Sequence, residues 1–486
     1  MALALFALGL VTRIPFATEN LYAHDSVLYL RGMERFDPLD QRPQPPGYLY
    51  YVLALRAIDL LVHDANRTMT LVAAVAGAAT VALVYVLAAR LYEERTARVA
   101  SVFVLTAATF WAYGGVAYPY TLLAALSTLC ALLFWRALGA ATPSDRGRRL
   151  VAASVAWGVA IGFRADLAIF LAPLWLLAVL RTTWATAALS SLAVAASVTG
   201  WFTASALADG GIARFVEALG VQTRFIDEHY GVFANGPIAI YRNTYDLARF
   251  LGRGLYFLLP LVAAALLSAE ARRVEMRDRR RAAFVALWTV APLPFYVLVH
   301  IGEYGYVFSM LPGLAILAAR GAIALAKGIR RPRTFRWIVG ATALANAAIF
   351  LLSDAPLSAR DIARQDRGID EKVAYVRDAL TTDSALLVTA YDAVLVDHYL
   401  QRAYPVLAYD PDTTRALTQA LGCVQLAVRP CSGPEVQVVL WDDLLRAEGA
   451  GWRERVMPHG ARLRITRAPR DATLRVREGV AVEVVR

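Results

Sequence analysis

The sequence predicts an all-α polytopic membrane domain of about eleven helices, followed by a small C-terminal α/β soluble domain. Long apolar runs fill residues 1–353, and dense arginine clusters fall in alternate gaps between them. Hydrophobic residues make up 58% of the 486 positions, which is too apolar for a soluble chain of this length. The chain is therefore expected to cross a bilayer many times.

Each apolar run is interpreted as one spanning helix, because a bilayer needs about 20 apolar residues per helix. The runs are 1–17, 68–89, 99–115, 119–138, 150–163, 166–180, 184–207, 247–268, 282–300, 304–325 and 335–353.

The arginine clusters orient the chain. They occupy every second gap, as at Arg95, Arg148 and Arg280, and the positive-inside bias makes those gaps cytoplasmic. The other gaps and everything after residue 353 then lie outside. The net charge of +11 comes largely from these membrane-flanking residues, which meet anionic lipid, so nucleic acid is not an expected partner. Since nearly all basic residues are arginine and alanine is abundant, we expect a bacterial inner-membrane protein.

Three segments lie outside the predicted helices: two external loops, 18–67 and 208–246, and a C-terminal domain, 354–486, placed on the outer face. In the C-terminal domain we predict strands over 385–390, 436–440 and 462–465, and helices over 369–380, 392–401 and 413–421. Its simplest role is a cap over the external loops. Cys423 and Cys431 lie in it, and whether they form a disulfide stays open.

Asp25, in the sequence HDSVLY soon after the first apolar run, is the leading candidate for a catalytic base. The alternative is that it caps a helix beginning at Ser26. His24 beside it is a candidate for binding substrate. So is Tyr48, in the stretch RPQPPGYLYY, whose prolines predict a rigid elbow before a helix that starts near Gly47.

Arg164 and Asp166 stand in a short turn between two apolar runs. If both face a cavity, Arg164 could bind a phosphate and Asp166 could orient it or assist a base. If they pair with each other, they form a structural clasp. Arg224 and Arg242, in the second external loop, are further candidates for binding substrate.

The turn HIGEYGY supplies an imidazole, a carboxylate and a phenol that could contact a lipid phosphate or a sugar: His300, Glu303 and Tyr304. An interfacial aromatic belt explains the tyrosines of this turn equally well. One histidine and one carboxylate are too few to predict a metal site.

Taken in order, these segments resemble the membrane-embedded GT-C glycosyltransferases, which include the protein O-mannosyltransferases of glycosyltransferase family 39 and the aminoarabinose transferases that modify lipid A. The resemblance spans about residues 1–325. It is carried by the segments HDSVLYLRGMERFD, RPQPPGYLYYVLAL, FWAYGGVAYPYTLLAAL, GFRADLAIFLAPLW and HIGEYGYVFSMLPGLAILAA.

The resemblance implies inverting transfer of a sugar from a polyprenyl-phosphate carrier to an unidentified acceptor on the outer face. Asp25 takes the position of the first-loop acid, the base toward the acceptor hydroxyl. Arg164, and less directly Arg224 or Arg242, would stabilise the phosphate leaving group. The lipid-linked sugar is a substrate, no cofactor is firmly implied, and the lack of a second acid near Asp25 makes a tightly held divalent cation less expected.

The chain departs from the family pattern at two places. Gly115 stands where close relatives would have glutamate, and Gln44 replaces an expected histidine. Asp166 or Glu303 could substitute for the missing acid. Two other functions stay open, a flippase or transporter of lipid-linked sugars and a non-catalytic membrane scaffold. A transporter would favour internal repeats and charges buried mid-span, whereas here the ionisable residues gather at helix ends.

Overall fold

The computed structural model describes residues 1–269, 272–273, 277–329, 333–382, 384–410, 416–421, 434–477 and 480–485. The chain forms two compact units. The first comprises Met1–Thr18 and Tyr29–Arg360, and the second comprises Glu19–Leu28 and Asp361–Arg486. Cys423 and Cys431 lie outside the described residues.

The first unit is built from helices. Its α-helices are Ala2–Arg13, His24–Glu34 (which begins in the other unit), Leu49–Val62, Ala65–Leu91, Glu94–Thr106, Ala108–Ala112, Tyr120–Leu138, Pro143–Phe163, Leu167–Val179, Trp184–Ala208, Ile212–His229, Val232–Asn235, Pro237–Leu255, Leu259–Leu267, Arg279–Val290, Pro292–Leu298, Leu311–Ile329 and Thr334–Leu352. Short 3-10 helices are Ile14–Phe16, Pro38–Asp40, Tyr256–Leu258 and Tyr304–Ser309.

Side-chain caps fix where several of the membrane helices begin. Asp64 accepts a hydrogen bond from the backbone N–H of Arg67 at 2.9 Å, before the helix Ala65–Leu91. Thr142 caps Pro143–Phe163 in the same way, with proline at the first helical position. Such caps satisfy backbone N–H groups that the first helical turn leaves without a partner.

Helices stand at all eleven predicted apolar runs, but fewer of them are long enough to cross a bilayer. In the described part of the chain, seven helical segments have the length and composition of a span, and two shorter apolar helices accompany them, Ala2–Phe16 and Leu167–Val179. The expectation of about eleven also counts helices that are shorter or more polar than these seven. The run 99–115 breaks into two short helices, and Pro143–Phe163 carries several arginines in its first turns.

The segment 208–246 is helical, so its interpretation as a long loop was wrong. Ile212–His229 and Val232–Asn235 fill most of it, and Pro237–Leu255 begins inside it. That last helix continues the polar segment into the predicted span, so the candidate span begins at Pro237 and ends at Leu267. The mixture of polar and aromatic residues in this segment fits amphipathic helices, which carry a polar face along their length.

The second unit is an α/β domain with two sheets. Its helices are Ala359–Ala379, which begins just before it, and Ala393–Tyr399, and its strands are β1 (Ala385–Thr389), β2 (Val406–Ala408), β3 (Leu417–Ala420), β4 (Glu435–Leu440), β5 (Arg446–Glu448), β6 (Arg453–Val456), β7 (Arg462–Pro469), β8 (Thr473–Arg477) and β9 (Ala481–Val485).

One sheet has the order β2-β1-β4-β7-β6, with β1 parallel to both neighbours, and the other has the order β3-β8-β9-β5. The three predicted strands are present. The predicted helix over 413–421 is wrong for its described part, because Leu417–Ala420 pairs with β8 as an antiparallel strand.

The short segment Glu19–Leu28 joins the second unit through backbone hydrogen bonds. The N–H groups of Glu19 and Asn20 donate to the Asp366 carboxylate at 2.9 and 2.8 Å, and that of Leu21 donates to the Tyr399 hydroxyl at 2.7 Å. The first loop after the first helix is therefore divided between the two units at Leu28.

Candidate functional site: a tyrosine and arginine cluster in the membrane unit

Arg164 and Asp166 form an ion pair in the turn between Pro143–Phe163 and Leu167–Val179. The Arg164 Nη2 donates to Asp166 Oδ2 at 2.8 Å, and its Nε lies 3.5 Å from Oδ1. The side chains are only 4% and 12% exposed. A buried guanidinium needs such a partner, because an unpaired charge away from water is costly. The clasp interpretation of this pair is thus correct in its geometry.

Three tyrosine rings surround the Arg164 guanidinium. Its Cζ lies 5.4 Å from the ring centroid of Tyr48, 5.2 Å from that of Tyr120 and 5.9 Å from that of Tyr306. At these distances the negative faces of aromatic rings can attract a cation. The rings come from the first loop, a helix start and the HIGEYGY turn, so the fold brings together segments that the sequence keeps far apart.

Backbone conformation places Tyr48 at this cluster. Gly47 and Tyr48 both have positive φ, at 87° and 48°, and the helix Leu49–Val62 begins directly after them. A Cβ on Gly47 would lie 2.6 Å from the Cζ of Phe36, so only glycine fits. The predicted elbow before a helix is present, and the helix begins at Leu49, close to the expected start near Gly47.

Asp37 anchors the same elbow, although it was not among the predicted site residues. Its carboxylate accepts hydrogen bonds from the guanidinium groups of Arg35 and Arg214. Its N–H and C=O pair with the C=O and N–H of Arg42 at 2.7 and 2.9 Å. The ion pair joins the elbow to the helix Ile212–His229, so Asp37 is a positioning residue. An acidic residue directly before proline was the available signal, since such residues initiate turns.

Glu303 contacts the turn that carries Gly115, where the resemblance led us to expect an acid. The Tyr113 hydroxyl donates to Glu303 Oε2 at 3.1 Å, and the Tyr113 ring lies 5.4 Å from that of Tyr120. A Cβ on Gly115 would stand 2.4 Å from the carbonyl oxygen of Phe16, and the N–H of Thr18 donates to the Gly115 oxygen at 2.9 Å. The backbone thus leaves no room for a side chain at position 115. The Glu303 carboxylate, which belongs to a different turn, contacts this turn through the Tyr113 hydroxyl.

Two arginines that the sequence analysis did not single out meet at Tyr304. Arg249 Nη2 donates to the Tyr304 hydroxyl at 3.1 Å, and Arg253 also donates to it. The two lie four residues apart on Pro237–Leu255, a spacing that puts them on one helix face. Arg249 is in addition 3.7 Å from the Asp246 carboxylate. Their four-residue spacing could have identified them in the sequence as a pair on one helix face. It does not show which tyrosine they would contact.

His300 extends the cluster toward Arg242. Its ring lies 4.6 Å from that of Tyr230 and 5.5 Å from that of Tyr306, and Arg242 lies over the Tyr230 ring with its Cζ at 5.1 Å. Burial, assisted by the charge of Arg242, lowers the pKa of His300 to about 4. The imidazole is therefore neutral at pH 7 and offers a hydrogen bond but no charge to a phosphate.

Six of the predicted site residues are linked to one another by the contacts above: Tyr48, Arg164, Asp166, Arg242, His300 and Glu303. Tyr304 lies in a second group with Arg249 and Arg253, and three predicted residues lie in neither group. Arg224 is exposed on the helix Ile212–His229, and His24 and Asp25 belong to the second compact unit.

Asp25 lies in the first turn of a helix that begins at His24, so it does not cap a helix from Ser26 as the alternative held. It is partly buried. Tyr29 follows it by four residues on that helix, and the Tyr29 ring lies 5.5 Å from that of Tyr48. Gln44, at the position of the expected histidine, lies with its Nε2 3.5 Å from the Tyr29 hydroxyl.

Within the described stretches of the chain, no group of three or more histidine, cysteine, aspartate or glutamate side chains is arranged to hold a metal ion. The residues of the cluster are instead suited to hydrogen bonding and to binding negative charge, since arginine and tyrosine donate and the carboxylates accept.

Comparison with known proteins supports the fold. Residues 44–206 match the family model described as dolichyl-phosphate-mannose-protein mannosyltransferase. No curated protein matches the chain significantly.

Among solved structures, the chain is similar to ArnT from Cupriavidus metallidurans in the apo state, with 14% identity, 96% of this chain and 97% of that one covered, and a TM-score of 0.58. The same protein bound to undecaprenyl phosphate gives 13% identity, 96% of each chain covered and 0.56.

The oligosaccharyltransferase from Archaeoglobus fulgidus in complex with Zn and sulfate gives 13% identity, 84% of this chain and 62% of that chain covered, and 0.52. These similarities confirm the GT-C fold that the sequence resemblance implied, a multi-pass helical membrane part followed by a small domain containing β-sheet.

Proposed function

We propose that this chain, which carries a GT-C fold, is a membrane glycosyltransferase that moves one sugar from a polyprenyl-phosphate donor to an acceptor hydroxyl. The observation that carries the proposal is that one membrane unit holds both the Arg164 cluster, which includes Glu303, and the group of Arg249, Arg253 and Tyr304, with Tyr304 directly following Glu303 in the chain. Support for the donor class comes from the similar ArnT structure, which holds undecaprenyl phosphate.

Arg253 is the residue that we assign to the donor phosphate, with Arg249 beside it. Both donate to the neutral hydroxyl of Tyr304, whereas the charge of Arg164 is already compensated by Asp166 at 2.8 Å. A cation without a tight carboxylate partner attracts a phosphate more strongly, and guanidinium matches phosphate oxygens in pairs. Arg164 then acts as a positioning residue that holds the tyrosines, a change from the role first predicted for it.

The reaction needs one base and one anion-binding group. The acceptor oxygen attacks the anomeric carbon as the bond from that carbon to the phosphate oxygen breaks. The phosphate leaves with the electron pair, and the acceptor proton passes to a carboxylate. Attack from the face opposite the phosphate inverts the configuration at that carbon. Developing charge on the leaving phosphate is stabilised by fixed cations, which contribute most in a site that excludes water.

Asp25 is our first choice for the base, on the family resemblance and on its place one helical turn before Tyr29. Glu303 is the second choice, on its hydrogen bond to Tyr113 at the turn where the family's other acid is absent. The two assignments predict different variants to be inactive. We further propose that the chain lies in a bacterial inner membrane with its C-terminal domain and transfer site on the outer face.

The test is transfer of radiolabelled sugar from a panel of polyprenyl-phosphate sugars to cell-envelope acceptors by the purified full-length protein. Wild type should transfer, and Asp25→Asn should lose at least about a hundredfold in rate if Asp25 is the base. Loss in Glu303→Gln with activity kept in Asp25→Asn would move the base to Glu303. If wild type transfers sugar from no donor but proteoliposomes that contain it take up labelled carrier lipid, the protein is a transporter and the glycosyltransferase proposal is wrong.

A further inference from the structure

A cavity of about 250 Å³ lies within the second compact unit, well apart in sequence from the cluster described above. It sits where the carboxyl ends of the parallel strands β1 and β4 meet, because Asp392 follows β1 closely and Trp441 and Asp443 follow β4 directly. Crevices at the carboxyl ends of parallel strands are common ligand sites in α/β sheets. The long helix Ala359–Ala379 supplies the opposite wall through Arg364 and Lys372.

The polar groups of the cavity are held in place by the surrounding backbone. Lys372 Nζ donates to the backbone oxygen of Trp441 at 2.7 Å and lies 5.5 Å from the Trp441 ring centroid. Asp442 accepts from Thr389 Oγ1 at 2.6 Å and from the N–H of Ala390, and the Asp392 N–H donates to the same Thr389 Oγ1 at 3.2 Å. Fixed donors and acceptors of this kind are what a specific ligand requires.

One carboxyl of the cavity, that of Asp392, is held toward its protonated form. Burial and the neighbouring charge of Asp442 raise the pKa of Asp392 well above its ordinary value, while Lys372 lowers it. Burial in turn lowers the pKa of Lys372, and the carboxylates of Asp443, Asp442 and Asp392 act in the opposite direction. The Asp392 carboxyl can therefore both donate and accept a hydrogen bond.

The charges of the wall select against ionic ligands of either sign. A phosphate would meet the carboxylate of Asp443, and an ammonium group would meet Lys372 and Arg364. A hydroxyl group both donates and accepts, so it can pair with carboxyl and ammonium groups at once. The volume is smaller than the roughly 300–1,000 Å³ of sites for drug-sized ligands. A single sugar ring fits these requirements better than an oligosaccharide or a nucleotide.

We infer that the C-terminal domain binds one neutral hexose in this cavity, with Asp392, Asp443 and Lys372 contacting its hydroxyls. The site is distinct from the proposed transfer site and does not depend on it. Because the donor and acceptor of the transfer reaction play no part in the binding, the two proposals can fail separately.

The experiment measures binding of labelled D-glucose, D-mannose and D-galactose to the full-length protein in nanodiscs, by equilibrium dialysis without donor lipid. At least one hexose should bind, and the corresponding uronic acid and amino sugar should bind at least about tenfold more weakly. Asp392→Asn and Asp443→Ala should each weaken binding about tenfold, as loss of a hydrogen bond to a charged group predicts. Asp471→Asn, an exposed aspartate between β7 and β8 that does not line the cavity, is the matched control and should bind as wild type.

Because both Asp392→Asn and Asp443→Ala are measured, the test still gives a result if one of them disturbs the fold. Asp443 is exposed, so its truncation removes a polar contact with little effect on the core. Absence of binding by every hexose at millimolar concentration would overturn the inference. So would equal binding by Asp443→Ala and Asp471→Asn, and so would hexose binding that is lost in Arg164→Lys but kept in both cavity variants, since the sugar would then sit in the membrane unit.

Discussion

At the scale of single residues, charge compensation decides which arginine is available to a ligand. Arg164 and Asp166 neutralise each other in a nearly buried pair, and Arg253 donates to a tyrosine hydroxyl. The same residue type therefore stands in two different charge environments within one unit. An arginine near a candidate site is a better phosphate ligand when its contacts are neutral, because no carboxylate competes for its charge.

The Asp166→Asn variant should be strongly destabilised, because it leaves the Arg164 guanidinium buried without a counter-charge. We expect a loss of about 3–5 kcal/mol in the free energy of unfolding. Replacing both residues, as Arg164→Met with Asp166→Leu, should cost less than the single change. Unfolding of the purified protein in detergent measures both.

Asp246→Asn provides the control for this prediction. It breaks a similar pair with Arg249, but at 3.7 Å and with side chains 44% and 26% exposed, so it should cost less than about 1 kcal/mol. Equal costs for Asp166→Asn and Asp246→Asn would show that the Arg164 pair is not a buried clasp.

The pairing of side chains could be predicted from the sequence only where the two partners are close to each other along the chain. Arg164 and Asp166 are two residues apart in a tight turn, so their pairing was among the expected arrangements. The partners Arg253 and Tyr304 are separated by 51 positions, and Tyr113 and Glu303 by 190. Contacts of that kind depend on how helices pack, which the spacing of one chain does not contain.

At the scale of elements, close backbone approach explains why the turn after Ala108–Ala112 carries glycine. Gly115 lies against the backbone at Phe16, and its oxygen accepts from Thr18. The absence of a side chain at this position allows the backbone after the first helix to contact the turn directly. A sequence comparison counts the glycine as a lost acid, whereas the geometry assigns it a packing role.

The Gly115→Ala variant should disturb this contact, because its Cβ would lie 2.4 Å from a carbonyl oxygen that cannot move away alone. We expect a loss of about 1–3 kcal/mol in the free energy of unfolding, as for overpacking of a tight core. Thermal unfolding in detergent gives the value. Gly200→Ala is the control, since nothing lies within 4 Å of the added carbon and alanine favours the helix. A Gly115→Ala protein as stable as Gly200→Ala would contradict the close approach.

Element boundaries were predictable where hydrophobic periodicity was strong. The helices Tyr120–Leu138 and Trp184–Ala208 match their apolar runs within one residue at each end. Residues 417–420 were predicted as helix and form a strand, because pairing with β8 overrides the local pattern. The helices within 208–246 were missed for a different reason. Their apolar residues are spaced along one helix face, with polar residues between them, so they do not form a continuous apolar run.

At the scale of the whole molecule, the alternation of arginine-rich and arginine-poor gaps predicts which parts of the chain face the cytoplasm. The C-terminal domain follows the last apolar run, so the charge bias puts it on the side opposite to the arginine clusters. That orientation would place it on the same side as the first loop.

A cysteine introduced at exposed Asp471 should react with a membrane-impermeant maleimide in intact cells, and one at exposed Ser144 should react only after the membrane is opened. A background without the natural cysteines keeps the labelling specific. The reverse pattern, with Ser144→Cys labelled first, would invert the topology and place the C-terminal domain in the cytoplasm.

The central claim is that Arg253 and its neighbours bind the phosphate of a carrier lipid. Native mass spectrometry of the full-length protein with undecaprenyl phosphate tests it most directly, comparing wild type, Arg253→Gln and Arg224→Gln, an exposed arginine outside the cluster. We predict that Arg253→Gln weakens binding about tenfold or more while Arg224→Gln does not, and that undecaprenol without phosphate does not distinguish the variants. Equal affinity of wild type and Arg253→Gln for undecaprenyl phosphate would contradict the account.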